Sequence, residues 1–212
     1  MHTISNEKTL KTLNKLHKES SSEKLTIMKG ALKGIFRELR PSDMKNAYIA
    51  ITRDQGEYIY DLLIREKAKN IIEFGTSFGI SSIYLGAAAK QNNGQVITTE
   101  LLDSKANKAL QNFIDADVDN QIDLRIGDAM ETLQNTPDNI DFLLLDGWND
   151  LYLPLIKILE PKLKNGAYIY TDNINFPGSK SFIEYIKSNP RKYKTKRLSE
   201  NKGGVELTEY TK

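Results

Sequence analysis

The chain contains no cysteine and only two histidines, His2 and His17, in 212 residues. Disulfide bonds and thiolate metal sites are therefore excluded, and neither a histidine-based zinc site nor a Ser-His-Asp triad is expected. A metal ion would have to be held mainly by oxygen atoms, which favours hard cations such as magnesium or calcium.

Long apolar stretches are absent as well. No run of residues approaches the roughly 20 that a membrane-spanning helix needs. Residues 1–11 are polar and lack the apolar core of a secretory signal. The formal net charge is only +2, which is too small to indicate a nucleic-acid partner. We therefore expect a cytoplasmic protein without a membrane or nucleic-acid partner.

Residues 1–45 carry apolar residues in two groups at helical spacing. The first group is Leu10, Leu13 and Leu16, and the second is Leu25, Met28, Leu32 and Ile35 or Phe36. Between the groups, Ser20-Ser-Ser22 indicates a break with an N-cap. The pattern predicts a helical appendage of two amphipathic helices that pack on the main domain, residues 46–212. A role as a substrate lid, or as a partner or homodimer contact, is the alternative.

The main domain alternates short apolar runs with helical patterns, after a predicted turn at Pro41–Asn46 and a helix at Asp54–Lys67. The predicted strands are Asn70–Phe74, Gln95–Thr99, Ile122–Ile126, Ile140–Leu145 and Ala167–Thr171. The helices between them are predicted at Ser81–Lys90, Ser104–Ile114, Ala129–Asn135 and Leu151–Leu159. Alternating strands and helices indicate an α/β fold with a parallel sheet and helices on both faces.

The C-terminal segment breaks this alternation. A helix is predicted at Ser179–Lys187. Two strands, Arg191–Leu198 and Val205–Tyr210, then flank Asn201-Lys-Gly-Gly204, which is a hairpin signal. The sequence therefore predicts a mostly parallel sheet that ends in an antiparallel hairpin.

A glycine-rich turn, Glu73 to Gly79, follows the first predicted strand and precedes a helix. Gly75 and Gly79 permit a tight turn that a ligand can approach closely, and the next helix offers N–H groups at its N-terminus. The spacing differs from the G-x-G-x-x-G dinucleotide fingerprint and from the phosphate-binding loop. On its own, the turn indicates either a nucleotide-like ligand or a purely structural bend.

Three further strand ends carry groups that could hold such a ligand. Glu100 can accept hydrogen bonds from ribose hydroxyls. Asp128 can either cap a helix or face an adenine amino group. Asp146 and Trp148 combine an acid with a flat aromatic ring, which suits a cationic ligand with a base. Because ligands of open α/β sheets bind beyond the carboxyl ends of the strands, the four ends together predict one site.

Asp146, Asp172 and Asn173 follow the fourth and fifth predicted strands. Neighbouring parallel strands end at the same edge of a sheet, so these side chains should lie close together. Two carboxylates and an amide oxygen form part of an octahedral magnesium shell. A metal held there can lower the pKa of a hydroxyl group. The alternative is that Asp172 and Asn173 only cap the loop before Pro177-Gly178.

These features together resemble the class I S-adenosylmethionine-dependent methyltransferases, and more narrowly the catechol and bacterial cation-dependent O-methyltransferases. The resemblance runs from about Ile51 to Tyr210. It rests on Leu145 to Pro154 and on Tyr170 to Gly178, which match the family's Asp-x-Trp-x-Asp-x-Tyr and Asp-Asn-x-x-x-Pro-Gly signatures. The resemblance implies a Rossmann-like, seven-stranded sheet whose last pair of strands is antiparallel.

The resemblance also implies roles for individual residues. Glu73, Gly75 and Ser81 would line the methionine end of the cofactor S-adenosylmethionine, with Ile51 and Thr52 closing over it. Glu100 would hold its ribose, and Asp128, Ala129 and Trp148 would frame its adenine. Thr76, Ser77 and Leu101 would be further cofactor-binding residues. Asp146 would contact both the ammonium group of the cofactor and a magnesium or another divalent cation. Asp172 and Asn173 would be the other metal ligands.

Three positions depart from the family pattern. The catechol enzymes have a general-base lysine where this chain has Asn149, which cannot take a proton at neutral pH, and a histidine where it has Gly147. They also have an acidic residue, which binds the second catechol oxygen, where Arg197 is aligned here. Because guanidinium pairs well with planar anions, Arg197 indicates a substrate with a carboxylate or phosphate group. The alternative is a solvated charge on the strand.

The expected function is transfer of a methyl group to a hydroxyl of a small molecule, with Asp146 and Asn149 at the reaction centre and magnesium assisting. Three rivals remain open. They are a metal-independent N- or C-methyltransferase, a non-catalytic S-adenosylmethionine-binding protein, and a nucleotide-dependent oxidoreductase. The glycine spacing disfavours the last of them.

Overall fold

The computed structural model describes residues 1–31, 51–199 and 203–212. The strands are β1 (Asn70–Phe74), β2 (Gln95–Glu100), β3 (Ile122–Ile126), β4 (Ile140–Leu145), β5 (Leu163–Asp172), β6 (Tyr193–Ser199) and β7 (Val205–Tyr210). The helices are α1 (Glu7–Ala31), α2 (Arg53–Arg65), α3 (Ile80–Asn92), α4 (Asp103–Asp115), α5 (Ala129–Thr132), α6 (Tyr152–Leu159) and α7 (Lys180–Ser188).

Within the described residues, seven strands form one sheet in the order β3-β2-β1-β4-β5-β7-β6. Strands β1 to β5 are parallel, and β7 runs antiparallel between β5 and β6. The predicted fold class and the closing hairpin are therefore confirmed. The strand order reverses between β1 and β4, and in open α/β sheets a ligand crevice lies at such a reversal, beyond the carboxyl ends of the strands.

Alternation along the strands divides the core between the two faces of the sheet. In β1, Ile71 packs with Leu63 of α2 and Tyr84 of α3, whereas the next residue, Ile72, packs on the other face with Phe182 of α7. Strand β4 contributes to both faces, which explains why its sequence is almost entirely apolar. The buried centre of the sheet thereby fixes where the ends of β1 and β4 lie.

The N-terminal helix corrects the prediction of a break at Ser20-Ser-Ser22. Helix α1 is continuous from Glu7 to Ala31 and includes all three serines. The hydroxyl groups of Ser21 and Ser22 donate to the carbonyl oxygens of His17 and Glu19, at 2.8 and 2.7 Å, so they bond inside the helix instead of capping a new one. The later part of the predicted second helix, beyond residue 31, and the turn at Pro41–Asn46 lie outside the described residues.

Helix α1 packs on α3 and α4 as predicted for an amphipathic helix. Leu13 and Leu16 are buried, whereas Leu10 is half-exposed. The hydroxyl of Thr9 donates to the carbonyl oxygen of Ala116 at the end of α4, at 2.7 Å. Whether the N-terminal residues form a separate appendage or a homodimer contact stays a prediction.

The remaining elements agree with the predicted ones to within a few residues, and one helix and one strand differ most. The helix predicted at Ala129–Asn135 ends at Thr132, and the strand predicted at Ala167–Thr171 begins earlier, at Leu163. None of the helices in the described part combines the length and the apolarity that crossing a membrane requires.

Glu160 joins three elements at the end of the sheet opposite the strand ends that carry the predicted site. Its carboxylate accepts hydrogen bonds from the hydroxyls of Tyr185 and Tyr193 and pairs with the ammonium group of Lys192. Burial alone raises the pKa of Glu160, but the hydrogen bonds from these three groups outweigh burial and hold the pKa below its ordinary value. The carboxylate therefore ties the end of α6 to α7 and to the start of β6.

Replacing Glu160 with Gln should lower the free energy of unfolding at neutral pH by about 2 kcal/mol, because charge-assisted hydrogen bonds contribute about 1.5–3 kcal/mol each. A carboxyl group whose pKa is lowered by folding stabilises the native state above its unfolded pKa, and this contribution is lost as the pH falls through the folded value. Urea unfolding of both proteins should show the difference shrinking below about pH 4. A difference that stays constant down to that pH would contradict the charge pairing.

Candidate active site

The glycine-rich turn packs against the ends of two neighbouring strands. Gly75 has a φ of +106°, and a Cβ atom built on it would lie 2.7 Å from the carbonyl oxygen of Asp146. The N–H groups of Gly75 and Thr76 donate to the carbonyl oxygen of Thr99, at 3.3 and 3.1 Å. A Cβ atom built on Gly147 would lie 2.6 Å from the ring of Phe74. Glycine is therefore required sterically where the ends of β1 and β4 meet.

Glu100, at the end of β2, is held by two backbone groups. One carboxylate oxygen accepts from the N–H of Ser77 at 2.8 Å, and the other accepts from the N–H of Leu102 at 3.0 Å. Ser77 reaches this position through a left-handed backbone conformation, with a φ of +50°. The carboxylate is half-buried and already oriented, with lone pairs left for further donors. It fits the predicted acceptor for a pair of ribose hydroxyls.

Glu73 lies beneath the turn, where it is fully buried. Its Oε2 atom accepts from the hydroxyls of Ser82 and Thr98, and Oε1 has no hydrogen-bond partner among the described residues. Burial raises the pKa of Glu73, and the neighbouring hydroxyls offset this only in part. Thr76 and Ser81 are buried beside it. These three predicted cofactor residues therefore support the turn from inside, and one acceptor atom is left unsatisfied.

Asp146, Asp172 and Asn173, here called the acidic cluster, lie together as the sequence predicted. The side-chain amide of Asn173 donates to Oδ1 of Asp146 at 3.3 Å, and its backbone N–H donates to Oδ1 of Asp172 at 2.7 Å. No group of three or more His, Asp and Glu side chains in residues 1–31, 51–199 and 203–212 could hold a metal ion. The acidic cluster contains two carboxylates and one amide oxygen, and these three oxygen ligands suit a hard cation.

Comparison with known proteins decides the family. The sequence model of the O-methyltransferase family matches residues 18–202. The chain belongs to this O-methyltransferase family. The catechol O-methyltransferase of Bos taurus is 26% identical over 141 residues, which are 63% of this chain and 52% of that protein. The caffeoyl-CoA O-methyltransferase of Medicago sativa is 29% identical over 151 residues, 68% of this chain and 61% of that protein. The chain spans about half the length of the catechol O-methyltransferases of Bos taurus and Mus musculus.

Solved structures of similar proteins support the fold. An O-methyltransferase from Bacillus cereus in complex with SAH has a TM-score of 0.74 and 21% identity, over 95% of this chain and 91% of that chain. A SAH-bound methyltransferase from Podospora anserina has a TM-score of 0.73 and 17% identity, over 95% of this chain and 88% of that chain. At these identities the likeness concerns the fold.

The predicted adenine residues of this family member lie at the same edge of the sheet. Asp128 caps α5, since its carboxylate accepts from the N–H of Met130 at 2.8 Å, and it remains exposed. Ala129 is buried, whereas Leu101 and Trp148 are 56% and 40% exposed. Large apolar side chains exposed at the ends of β2 and β4 are consistent with a covering ligand. Contact of Asp128 with adenine stays a prediction.

The start of α2 reaches the acidic cluster through a residue that the sequence did not single out. Thr52 and Gln55 form a capping box, in which Oε1 of Gln55 accepts from the N–H of Thr52 at 2.7 Å. The side-chain amide of Gln55 also donates weakly to Oδ2 of Asp172, at 3.4 Å. Ile51, just before this turn, is buried. A T-x-x-Q pattern identifies the helix start, but only the fold brings it against the cluster.

Two further residues fix the backbone under the acidic cluster. The hydroxyl of Tyr152 donates to the carbonyl oxygens of Asp172 and Gly147, at 3.2 and 3.4 Å. Burial, together with the charges of Asp146 and Asp172, raises the pKa of Tyr152 well above its ordinary value, so Tyr152 stays a neutral donor. The amide of Asn149, predicted to be catalytic, donates to the carbonyl oxygen of Asn173 at 3.3 Å.

Arg197 lies beside the acidic cluster and bonds within the protein. Its guanidinium donates to Oδ1 of Asn175 at 2.7 Å, to the carbonyl oxygen of Ser199 at 3.0 Å and to the carboxylate of Glu206 at 3.4 Å. These bonds tie the hairpin to the loop that follows β5. A contact between Arg197 and substrate stays a prediction.

Lys105 is a further residue whose position the sequence did not indicate. It is 4% exposed, its ammonium lies 3.4 Å from the hydroxyl of Ser77, and it stands over the ring of Phe78 at 5.3 Å from the centroid. A lysine on a helical pattern looks like a surface residue in sequence. The fold instead places it behind the glycine-rich turn, where it supports Ser77.

Replacing Gly75 with Ala should prevent cofactor binding and destabilise the protein by several kcal/mol, because the new Cβ atom would clash with the Asp146 carbonyl. Gly166→Ala is a matched control: Gly166 also has a positive φ, +82°, but nothing lies within 4 Å of its Cβ position. The control should lose only about 1 kcal/mol. Thermal unfolding and calorimetric titration with S-adenosylmethionine measure both effects. Equal losses in the two variants would refute the close approach.

Proposed function

We propose that the protein is an S-adenosylmethionine-dependent O-methyltransferase that methylates a hydroxyl group of a small molecule with the help of magnesium. The observation that carries the proposal is the position of Asp146. Its carbonyl oxygen packs against Gly75 in the glycine-rich turn, and its carboxylate accepts a hydrogen bond from Asn173 in the acidic cluster. Asp146 therefore contacts both the glycine-rich turn, where we expect the cofactor, and the acidic cluster, where we expect the cation. The chain belongs to the O-methyltransferase family.

The residues at the carboxyl edge fit the cofactor in chemistry. When bound, S-adenosylmethionine supplies a methyl group on a sulfonium sulfur, which a substrate oxygen attacks as the carbon–sulfur bond breaks. Glu100 offers an oriented acceptor for the ribose, and Trp148 an exposed aromatic face for the base. The unsatisfied Oε1 atom of Glu73 lies under the turn that would receive the cofactor's cationic methionine end, together with Ile51, Thr52, Thr76, Ser77 and Ser81.

The acidic cluster fits a divalent cation in its donors. When bound, magnesium lowers the pKa of a hydroxyl group and favours its oxyanion. Asp146, Asp172 and Asn173 would hold it, with water or substrate completing the shell. Gln55 contacts the carboxylate of Asp172, and Tyr152 holds its backbone carbonyl. Asn149 cannot take the proton of the substrate hydroxyl, so acidity has to come from the cation and the substrate.

The relatives and one side chain, Arg197, support a class of substrate. The relatives act, by their names, on catechol and on caffeoyl-CoA, so we propose a hydroxylated small molecule as methyl acceptor. Arg197 would favour an acceptor with an anionic group, if it exchanges one of its internal partners for the substrate. We place the activity in the cytoplasm, with no nucleic-acid partner, and a homodimer contact stays the alternative role of the N-terminal residues.

Replacing Asp172 with Ala should lower magnesium-dependent methyl transfer by roughly two orders of magnitude, because the cation is worth several kcal/mol of charge stabilisation. S-adenosylmethionine affinity should change by no more than about threefold. Asp138→Ala, an exposed aspartate at the opposite edge of the sheet, is the control and should behave like the wild type. The assay follows methylation of a panel of phenols and small hydroxy acids, with magnesium and with chelator.

The outcomes separate the rival functions. Full activity of Asp172→Ala in chelator would exclude the metal-assisted reaction, whereas methyl transfer to a nitrogen or carbon acceptor instead of a hydroxyl would favour a metal-independent N- or C-methyltransferase. Binding of S-adenosylmethionine without methyl transfer to any acceptor would favour a non-catalytic binding protein. Failure of the wild type to bind S-adenosylmethionine would reject the proposed function altogether.

A further inference from the structure

The carbonyl oxygen of Asn173 accepts three hydrogen bonds. The donors are the side-chain amide of Asn149 at 3.3 Å, the hydroxyl of Ser179 at 2.9 Å and the backbone N–H of Phe176 at 3.2 Å. Asn149 also donates to the hydroxyl of Ser179, at 3.0 Å. The two N–H groups of the Asn149 amide therefore donate to two acceptors, and the hydroxyl of Ser179 in turn donates to the carbonyl oxygen of Asn173. Ser179 is fully buried, whereas Asn149 is only half-buried.

This carbonyl controls the direction of a proposed metal ligand. Asn173 has a left-handed backbone with a φ of +61°, which a non-glycine residue adopts at some cost in energy. In that conformation its N–H reaches Asp172 and its side chain reaches Asp146. Three donors on the carbonyl hold the peptide in this orientation. Removing one of them should let the Asn173 side chain turn away from the cluster.

We propose that Asn149 is a positioning residue that holds Asn173 in the metal-binding arrangement. The inference rests on the proposed function and deepens it. The orientation of the Asn149 amide follows from its partners, because its oxygen in the place of Nδ2 would face the carbonyl oxygen of Asn173. An amide that donates both protons inward is not available to a substrate hydroxyl.

Asn149 is closely packed on one side. A Cβ atom on Gly178 would lie 3.0 Å from Cβ of Asn149 and 3.0 Å from Oδ1 of Asp150, so the loop before α7 lies directly against this position. A lysine is longer and carries a single charged head that is strongly hydrated. Asn149→Lys should therefore not regain a general base at this position. It should instead lose the paired bonds to Asn173 and Ser179.

The test measures metal binding without turnover. Wild type, Asn149→Ala, Asn149→Lys and Ser179→Ala are titrated with Mn²⁺, followed by electron paramagnetic resonance, and separately with S-adenosylmethionine by calorimetry. Each of the three substitutions should weaken Mn²⁺ binding about tenfold or more, as removal of a residue that orients a metal ligand does. S-adenosylmethionine affinity should stay within about threefold of wild type. Lys157→Ala, an exposed lysine on α6, is the control and should change neither.

A pH profile separates a positioning role of Asn149 from a role in proton transfer. Since Asn149 does not titrate, the dependence of kcat on pH should keep its wild-type shape in Asn149→Ala, although the amplitude falls. Mn²⁺ binding by the wild type and equally by all three variants would overturn the inference and leave the proposed function standing. So would an Asn149→Lys protein that gains activity at lower pH with unchanged Mn²⁺ affinity. A wild type that binds no Mn²⁺ would overturn both. If one variant fails to fold, the other two carry the same test.

Discussion

The end of strand β4 is the constraint on which the candidate site depends. The N–H of Asp146 donates to the carbonyl oxygen of Phe74 at 3.0 Å, its own carbonyl leaves no room for a side chain on Gly75, and its carboxylate meets Asn173. These contacts bring the ends of β1, β4 and β5 together at the point where the strand order reverses. A residue in this position can serve a cofactor on one side and a cation on the other. The buried core on both faces of β4 keeps it there.

Regular patterns made most of the fold predictable from sequence. The bounds of β1, β3, β4 and β7 agree residue for residue, because short apolar runs bounded by turn residues leave little freedom in where a buried strand begins. The predicted break at Ser20-Ser-Ser22 was wrong because of hydrogen bonds within the helix. Serine hydroxyls can bond to the preceding turn of a helix as well as cap a new one, and the sequence does not distinguish the two.

The site residues at strand ends were predictable from the sequence. The residues that hold them in place were much less so. Glu100 and the acidic cluster directly follow strands, so topology alone brings them to one edge. Gln55, Tyr152 and Ser179 act through contacts with residues far along the chain, and nothing in their local sequence indicates those contacts. Glu73 was predicted to bind the cofactor, but its buried position beneath the turn depends on the packing of α3 and β2, which its local sequence does not indicate.

Asp146 should therefore be the residue whose charge both ligands share. The most direct measurement is a pair of calorimetric titrations of Asp146→Asn, one with S-adenosylmethionine and one with Mn²⁺. Asparagine keeps an oxygen for the Asn173 amide but removes the negative charge, so both affinities should fall together, each by about tenfold or more. A variant that binds both ligands as tightly as the wild type, or that loses only one of them, would contradict a single site built around Asp146.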